Sequence, residues 1–168
     1  MDKLNGLLED FSPIRDERSR IVIGYGLNKI ENSDLYEWYE VYVYKTQVNS
    51  ISLAFIKEAI LGDINNRTDE KILSGFVWND INVYLSAENQ RNFSEAQRMA
   101  SAVPAILPLT FKLGEDADGN PMYHTFKTAE ELNSFYMAAF AYINKCLNEG
   151  WQEKDKAISA IEGYINDI

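Results

Sequence analysis

The chain has 168 residues, 46% of them hydrophobic and 12% aromatic, with a formal charge of −10 and one cysteine and one histidine. That length and apolar content suit a folded domain with its own core and argue against disorder. The acidic balance disfavours binding to nucleic-acid phosphates, the lone Cys146 rules out an internal disulfide, and one Cys with one His cannot build an ordinary zinc site within one chain.

Residues 1–19 are polar, with Leu4, Leu7, Leu8 and Phe11 at helical spacing ahead of Pro13, and are expected to form a short arm. Its single Lys among acids and missing small-residue cleavage site make it a poor secretion signal, and no run of about 18 apolar residues predicts a membrane span. "RIVIGYG" and "LYEWYEVYVYK" are rich in β-branched and aromatic residues and predict two strands. The period then changes. Leu53, Ile56, Ile60 and Ile64 lie on one helical stripe behind a Ser50 or Ser52 cap.

"KILSGFVW" and "INVYLS" flank Asn79-Asp80, a pair suited to a two-residue hairpin turn with positive φ. Ser86 is placed to cap a helix carrying Phe93, Ala96, Ala100 and Val103 on one side. A second hairpin, with the polar loop "GEDADGNP", leads to Thr128 and Glu131, the two ends of a capping box. Behind it Leu132, Phe135, Tyr136, Ala139, Phe140, Ile143 and Leu147 predict the strongest helix of the chain, with Gly150 as its C-terminal cap and a further helix from Trp151. Strand, strand, helix thus recurs three times. The expected fold class is α+β, an antiparallel sheet of β-hairpins with helices on one face and a C-terminal helical extension. The expected division is an arm and aromatic strand pair over 1–49 and an α+β domain over 50–168.

His124 alternates with Met122 and Phe126 along a strand, and no Ser, Cys or Asp motif marks a partner for it. It is read as a structural, hydrogen-bonded histidine. The loop from Asp116 has Asn120 and Pro121 where a calcium loop needs its fifth ligand and its glycine, and Lys127 where it needs the bidentate acid. It is read as a turn. Cys146 reads as a buried thiol, and "GYG" at Gly24–Gly26 lacks the third glycine of a dinucleotide site. The acid pair Glu130-Glu131 is explained by the helix N-terminus. No catalytic residue, metal site or cofactor is expected.

The strand holding Tyr36, Trp38, Tyr42 and Tyr44 is the candidate partner-binding surface, because Tyr and Trp give contact area at low entropic cost. Alternation sends Trp38, Tyr42 and Tyr44 to one face with Glu40, and Tyr39, Val41 and Val43 to the other.

Phe76-Val77-Trp78-Asn79 leading into Leu85-Ser86, then Glu88-Asn89-Gln90, the strand Tyr123-His124-Thr125-Phe126, and Gly150-Trp151 follow one another in an order that resembles a domain of unknown function recurrent in tailed bacteriophages and bacterial prophages. The likeness covers about residues 50–156, with Asp80 where Gly is usual and Tyr84 where Trp is frequent. The resemblance implies a short phage protein, encoded near tail or tail-fibre genes; it implies no particular activity and so carries over no catalytic residue. It maps Trp78, His124, Phe126 and Trp151 onto family positions as structural landmarks, to which the apolar helical stripe adds Phe135 and Phe140. The expected role is a non-enzymatic tail or tail-fibre accessory protein, in the virion or host cytoplasm, whose partners are other phage proteins or further copies of itself. The rivals are an acidic DNA mimic directed at a host factor, and a small enzyme with a carboxylate site.

Overall fold

A computed structural model describes residues 3–45 and 52–166, with side chains as far as Tyr164. The chain divides into two compact units, residues 1–67 with 149–168, and residues 68–148. This cuts the chain differently from a 1–49 and 50–168 division, whose boundary falls at residues outside the described ones. The class is α+β as expected, with antiparallel hairpins and three helices among the described residues.

In the first unit, β1 (Leu4–Gly6), β2 (Ile14–Asp16), β3 (Arg20–Lys29) and β4 (Tyr36–Tyr44) form one antiparallel sheet in the order β1-β4-β3-β2. The expected N-terminal arm is therefore corrected: it supplies both edge strands. Between them a 3-10 turn at Leu8–Asp10 is closed by the Asp10 carboxylate, which accepts from the Leu7 N–H at 2.8 Å. Helical spacing misled here because Pro13 and these local side-chain bonds stop any helix at one turn.

The two long strands separate their side chains by the period of two. Ile21, Ile23 and Tyr25 of β3, with Tyr39, Val41 and Val43 of β4, share one face. That face packs on Ile56, Ile60 and Ile64 of α1 (Leu53–Ser74) and on Ala157 and Ile161 of α3 (Ala129–Asn166). The opposite face carries Val22, Gly24, Trp38, Glu40 and Tyr42. Residues 7–13 cross over it, with the Phe11 ring edge-on to Trp38 at 5.9 Å. Gly24 is required there: a Cβ would stand 2.5 Å from the Ser12 carbonyl oxygen.

In the second unit, β5 (Phe76–Trp78) pairs with β6 (Ile81–Val83), and β7 (Leu109–Glu115) pairs with β8 (Pro121–Phe126). Asn79 and Asp80 have φ of 47° and 62°, the doubly left-handed turn that the sequence predicted. The hairpins remain separate ladders, joined by the Tyr84 N–H to Leu113 carbonyl bond at 2.8 Å. Ser86 caps α2 (Ala87–Ala102) by accepting from the Asn89 N–H at 3.2 Å. Phe135 of α3 is fully buried, with Phe93 at 5.0 Å, Phe126 at 5.1 Å and Trp78 at 5.5 Å around its ring.

Three further expectations change. The run "KILS" continues α1 to Ser74, because Ile72 extends the helical stripe and strand geometry begins only after Gly75. Gly150 does not end a helix. It stands inside α3 and is not among the residues with positive φ, so the cap geometry is absent and the cost is only the roughly 1 kcal/mol of an internal glycine. Phe140 is 51% exposed, so the apolar stripe of α3 is wider than the surface that covers it.

Candidate functional site

Strand β4 places its four candidate residues in different surroundings. Trp38 is buried and Tyr36 half-buried, while Tyr42 is 38% and Tyr44 54% exposed. Only the last two offer contact area. Between the buried and the exposed aromatics lies Glu40, itself 4% exposed. Arg15 binds it through two parallel bonds, Nη1 to Oε1 at 2.7 Å and Nη2 to Oε2 at 3.0 Å. The Trp38 indole donates to Oε1 at 3.3 Å and the Tyr42 hydroxyl to Oε2 at 3.1 Å. Burial pushes the Glu40 carboxyl up, but the Arg15 and Trp38 hydrogen bonds and the Arg15 charge outweigh it and hold the pKa below the ordinary carboxylate value. The Arg20 guanidinium lies 4.4 Å from the centre of the Tyr42 ring. Tyr42, Tyr44, Arg15 and Arg20 thus share one surface, anchored from beneath by the buried Glu40 carboxylate.

The other face of the same unit bounds a groove of about 750 Å3. Residues 24–28 of β3 form one wall, and one side of α3 forms the other, through Glu149, Gln152, Glu153, Lys156, Ala160 and Tyr164 at intervals of three and four. Gly26 has φ of +70° at a β-bulge between Tyr25 and Asn28, where two residues of β3 face one of β4. Behind this wall is a polar cluster. Arg67 donates from Nε to Asp63 at 3.1 Å, from Nη2 to the Tyr25 hydroxyl at 2.9 Å, and to both Glu153 oxygens at 2.6 and 3.3 Å. Its guanidinium lies 3.7 Å from the centre of the Tyr39 ring.

Tyr25 also donates to Asp63. Burial, then this bond, pushes its phenol far above the ordinary value, so it stays a protonated donor rather than a nucleophile. Burial alone would lower the Arg67 pKa, but Glu153 and Tyr25 more than compensate and raise it. At the groove mouth Lys3 pairs with Glu37 at 2.6 Å, and the Glu37 carboxyl is lowered by that bond.

In the second unit His124 has a partner after all, the capping residue of α3. Its Nε2 is 2.9 Å from Glu131 Oε1, while its ring meets Phe126 edge-on at 4.6 Å. Glu131 Oε2 accepts from the Lys127 N–H at 3.1 Å, and its own N–H donates to Thr128 Oγ1 at 3.1 Å. The Lys127 N–H and then His124 hold the Glu131 carboxyl below its ordinary value. Asp116 accepts from the N–H groups of Asp118 and Asn120 at 2.9 and 2.8 Å, closing a turn around Gly119. Cys146 is buried. Phe126 and Phe135 are core, Trp78 is packed on Phe135, and Phe140 and Trp151 are more than half exposed. No group of three or more metal-binding side chains occurs among the described residues, nor does a helix long and apolar enough to cross a membrane.

Sequence reading missed Arg15–Glu40 and the Tyr25–Asp63–Arg67–Glu153 cluster. The second left one signal, an acid and an arginine four apart at Asp63 and Arg67, which face one another on a helix. The partners at Tyr25 and Glu153 lie 42 and 86 residues from Arg67, and no local pattern announces them.

No curated protein and no solved structure matches the chain. A family of domains of unknown function, DUF4376, matches residues 55–168. That span covers α1, both hairpins of the second unit and all of α3, and the expected likeness to a domain of unknown function over about residues 50–156 falls largely within it. The chain belongs to the DUF4376 family.

Proposed function

We propose that this chain is a non-enzymatic accessory protein of a tailed bacteriophage or prophage, associated with the tail or tail fibre and acting through protein–protein contacts. The phage setting comes from the resemblance carried by the segments around Trp78, His124 and Trp151. The contact role is supported best by one observation, the exposed Tyr42 and Tyr44 beside Arg15 and Arg20 on the outer face of the first unit. Aromatic residues and arginine are the types enriched where protein surfaces bind one another. A sheet strand tied by the two Arg15–Glu40 bonds and the Tyr42–Glu40 bond holds them, so little order has to be gained on binding.

Mass spectrometry of purified virions and of tail-assembly intermediates tests the reading. The protein is expected in one or both, and a Tyr44→Glu variant is expected to be depleted from them at unchanged melting temperature. Absence of the wild-type protein from both preparations overturns it.

A further inference from the structure

We propose that the groove of the first unit is a peptide site: it takes an extended, largely apolar segment of another protein, which adds as a strand to the free edge of β3 and sets an acidic side chain against Lys156. This goes beyond the tail-associated reading and does not depend on it.

Strand β3 outruns its neighbour. The register with β2 ends at Ile14 opposite Ile23, and the last bond on that side is Gly24 N–H to the Pro13 carbonyl at 3.0 Å. The chain before Pro13 then turns away to cover Trp38. Residues 25–29 keep β4 on one side and, among the described residues, have no strand on the other. Residues 26–29 are exposed. A row of unpaired main-chain groups is a template for one more strand, and the alternate side chains of that strand would meet the groove walls. The bulge at Gly26 twists this edge, so pairing is confined to a short segment of about four residues.

The chemistry of the walls selects the same ligand. Lys3 is bound to Glu37, Glu153 to Arg67, and Tyr25 to Asp63, so these polar side chains are already satisfied within the unit. A small polar metabolite needs several convergent side-chain groups. What the groove offers instead is a backbone edge and exposed apolar surface from Leu27, Ala160 and the Tyr164 ring, which matches a peptide main chain with apolar side chains. Lys156, exposed on the helix wall, has no carboxylate partner among the described residues. Its charge complements an acidic residue of the incoming segment.

The test uses the full-length protein as bait for a displayed library of random dodecapeptides, with synthetic copies of the enriched sequences measured by fluorescence anisotropy. Enriched peptides are expected to alternate apolar residues and to carry an acid. Ala160→Arg, which fills the groove from an exposed helix position, is expected to weaken binding at least tenfold. Lys156→Glu is expected to weaken it similarly, with recovery when the peptide acid is changed to Lys. N-methylation of alternate peptide amides is expected to abolish binding, which separates strand addition from side-chain docking alone. Circular dichroism melts confirm that both variants fold.

Four results overturn the proposal: no enrichment over an Ala160→Arg bait, unchanged affinity of enriched peptides for both variants, affinity indifferent to N-methylation, or a wild-type dimer that Ala160→Arg converts to monomer. The last would mean that a second copy fills the groove. Since the assay contains no phage component, its failure is distinguishable from failure of the tail-associated reading.

Discussion

The two units are stabilised by different materials. The second is centred on aromatic rings: Phe76, Phe93, Phe126 and Trp78 surround Phe135 at centroid distances of 5.0–6.1 Å. The first has a core of isoleucines on one sheet face and, on both sides of that sheet, carboxylates held by arginines. Two separate two-stranded hairpins, one of them with three-residue strands, expose much of their backbone and need large side chains to bury enough area. A four-stranded sheet pairs most of the backbone of its two central strands, and β-branched residues then suffice to pack it on two helices. The difference teaches where function can reside. The aromatic core is saturated with ring contacts, while the ionic groups of the first unit border both its exposed aromatic face and its groove.

The largest expected effect tests the aromatic centre. Phe135→Ala should cost about 3–5 kcal/mol in chemical denaturation, since it empties a fully buried site touched by four rings. Phe140→Ala, five residues on and half exposed, should cost less than about 1 kcal/mol. Equal losses at the two sites would mean that α3 packs differently from the arrangement described.

Next comes the ionic side of the comparison. Glu40→Ala should cost about 2 kcal/mol, because it leaves Arg15, Trp38 and Tyr42 without their common acceptor; the partial exposure of Arg15 keeps this below the 3–5 kcal/mol of a wholly buried pair. The pH dependence has a definite sign. A carboxyl whose folded pKa is depressed stabilises the fold fully above its unfolded value, about 4.3, and loses that contribution as pH falls through the lower folded value. The stability gap between wild type and Glu40→Gln should therefore be constant from about pH 7 to 5 and shrink below about pH 4. A gap that widens on acidification would contradict the depressed value.

The smallest effects concern the His124–Glu131 contact. Glu131→Ala removes the acceptor of the Lys127 N–H at the start of α3 and should cost about 1 kcal/mol, a typical capping loss. His124→Gln can keep a hydrogen bond to Glu131 and should cost less than about 1 kcal/mol. Thermal melts of both variants decide the ranking. A His124→Gln loss exceeding that of Glu131→Ala would show that the imidazole, not the cap, governs this junction.

Local chemistry was readable wherever one short segment contains all its partners. The left-handed turn at Asn79-Asp80 and the Ser86 cap each need no more than four residues of context, and each formed as expected; of the Thr128–Glu131 capping box one half formed, while the Glu131 carboxylate accepts from the Lys127 N–H in place of the Thr128 N–H. The candidate surface was only partly readable. Alternation correctly placed Trp38, Glu40, Tyr42 and Tyr44 on one face, yet it could not tell that Trp38 lies beneath residues 7–13 and that Tyr42 and Tyr44 do not. The helix ends at Ser74 and beyond Gly150 were misjudged because an interior glycine or a single β-branched residue such as Ile72 changes local preference by about 1 kcal/mol or less, which packing readily overrides.

The sequence by itself determined the class of the protein, the strand–strand–helix runs β5-β6-α2 and β7-β8-α3 and the faces of the long strands, since these follow from side-chain periodicity and capping within a few residues. Only the tertiary structure decided that the N-terminal residues become edge strands, that Glu40 is buried under Arg15, and that β3 runs on past β2 to border a groove with α3. The β1–β4 pairing, the Arg15–Glu40 pair and the β3–α3 groove join residues 25 to more than 100 positions apart, and long-range pairing of charges and strand edges leaves no periodic trace in the chain.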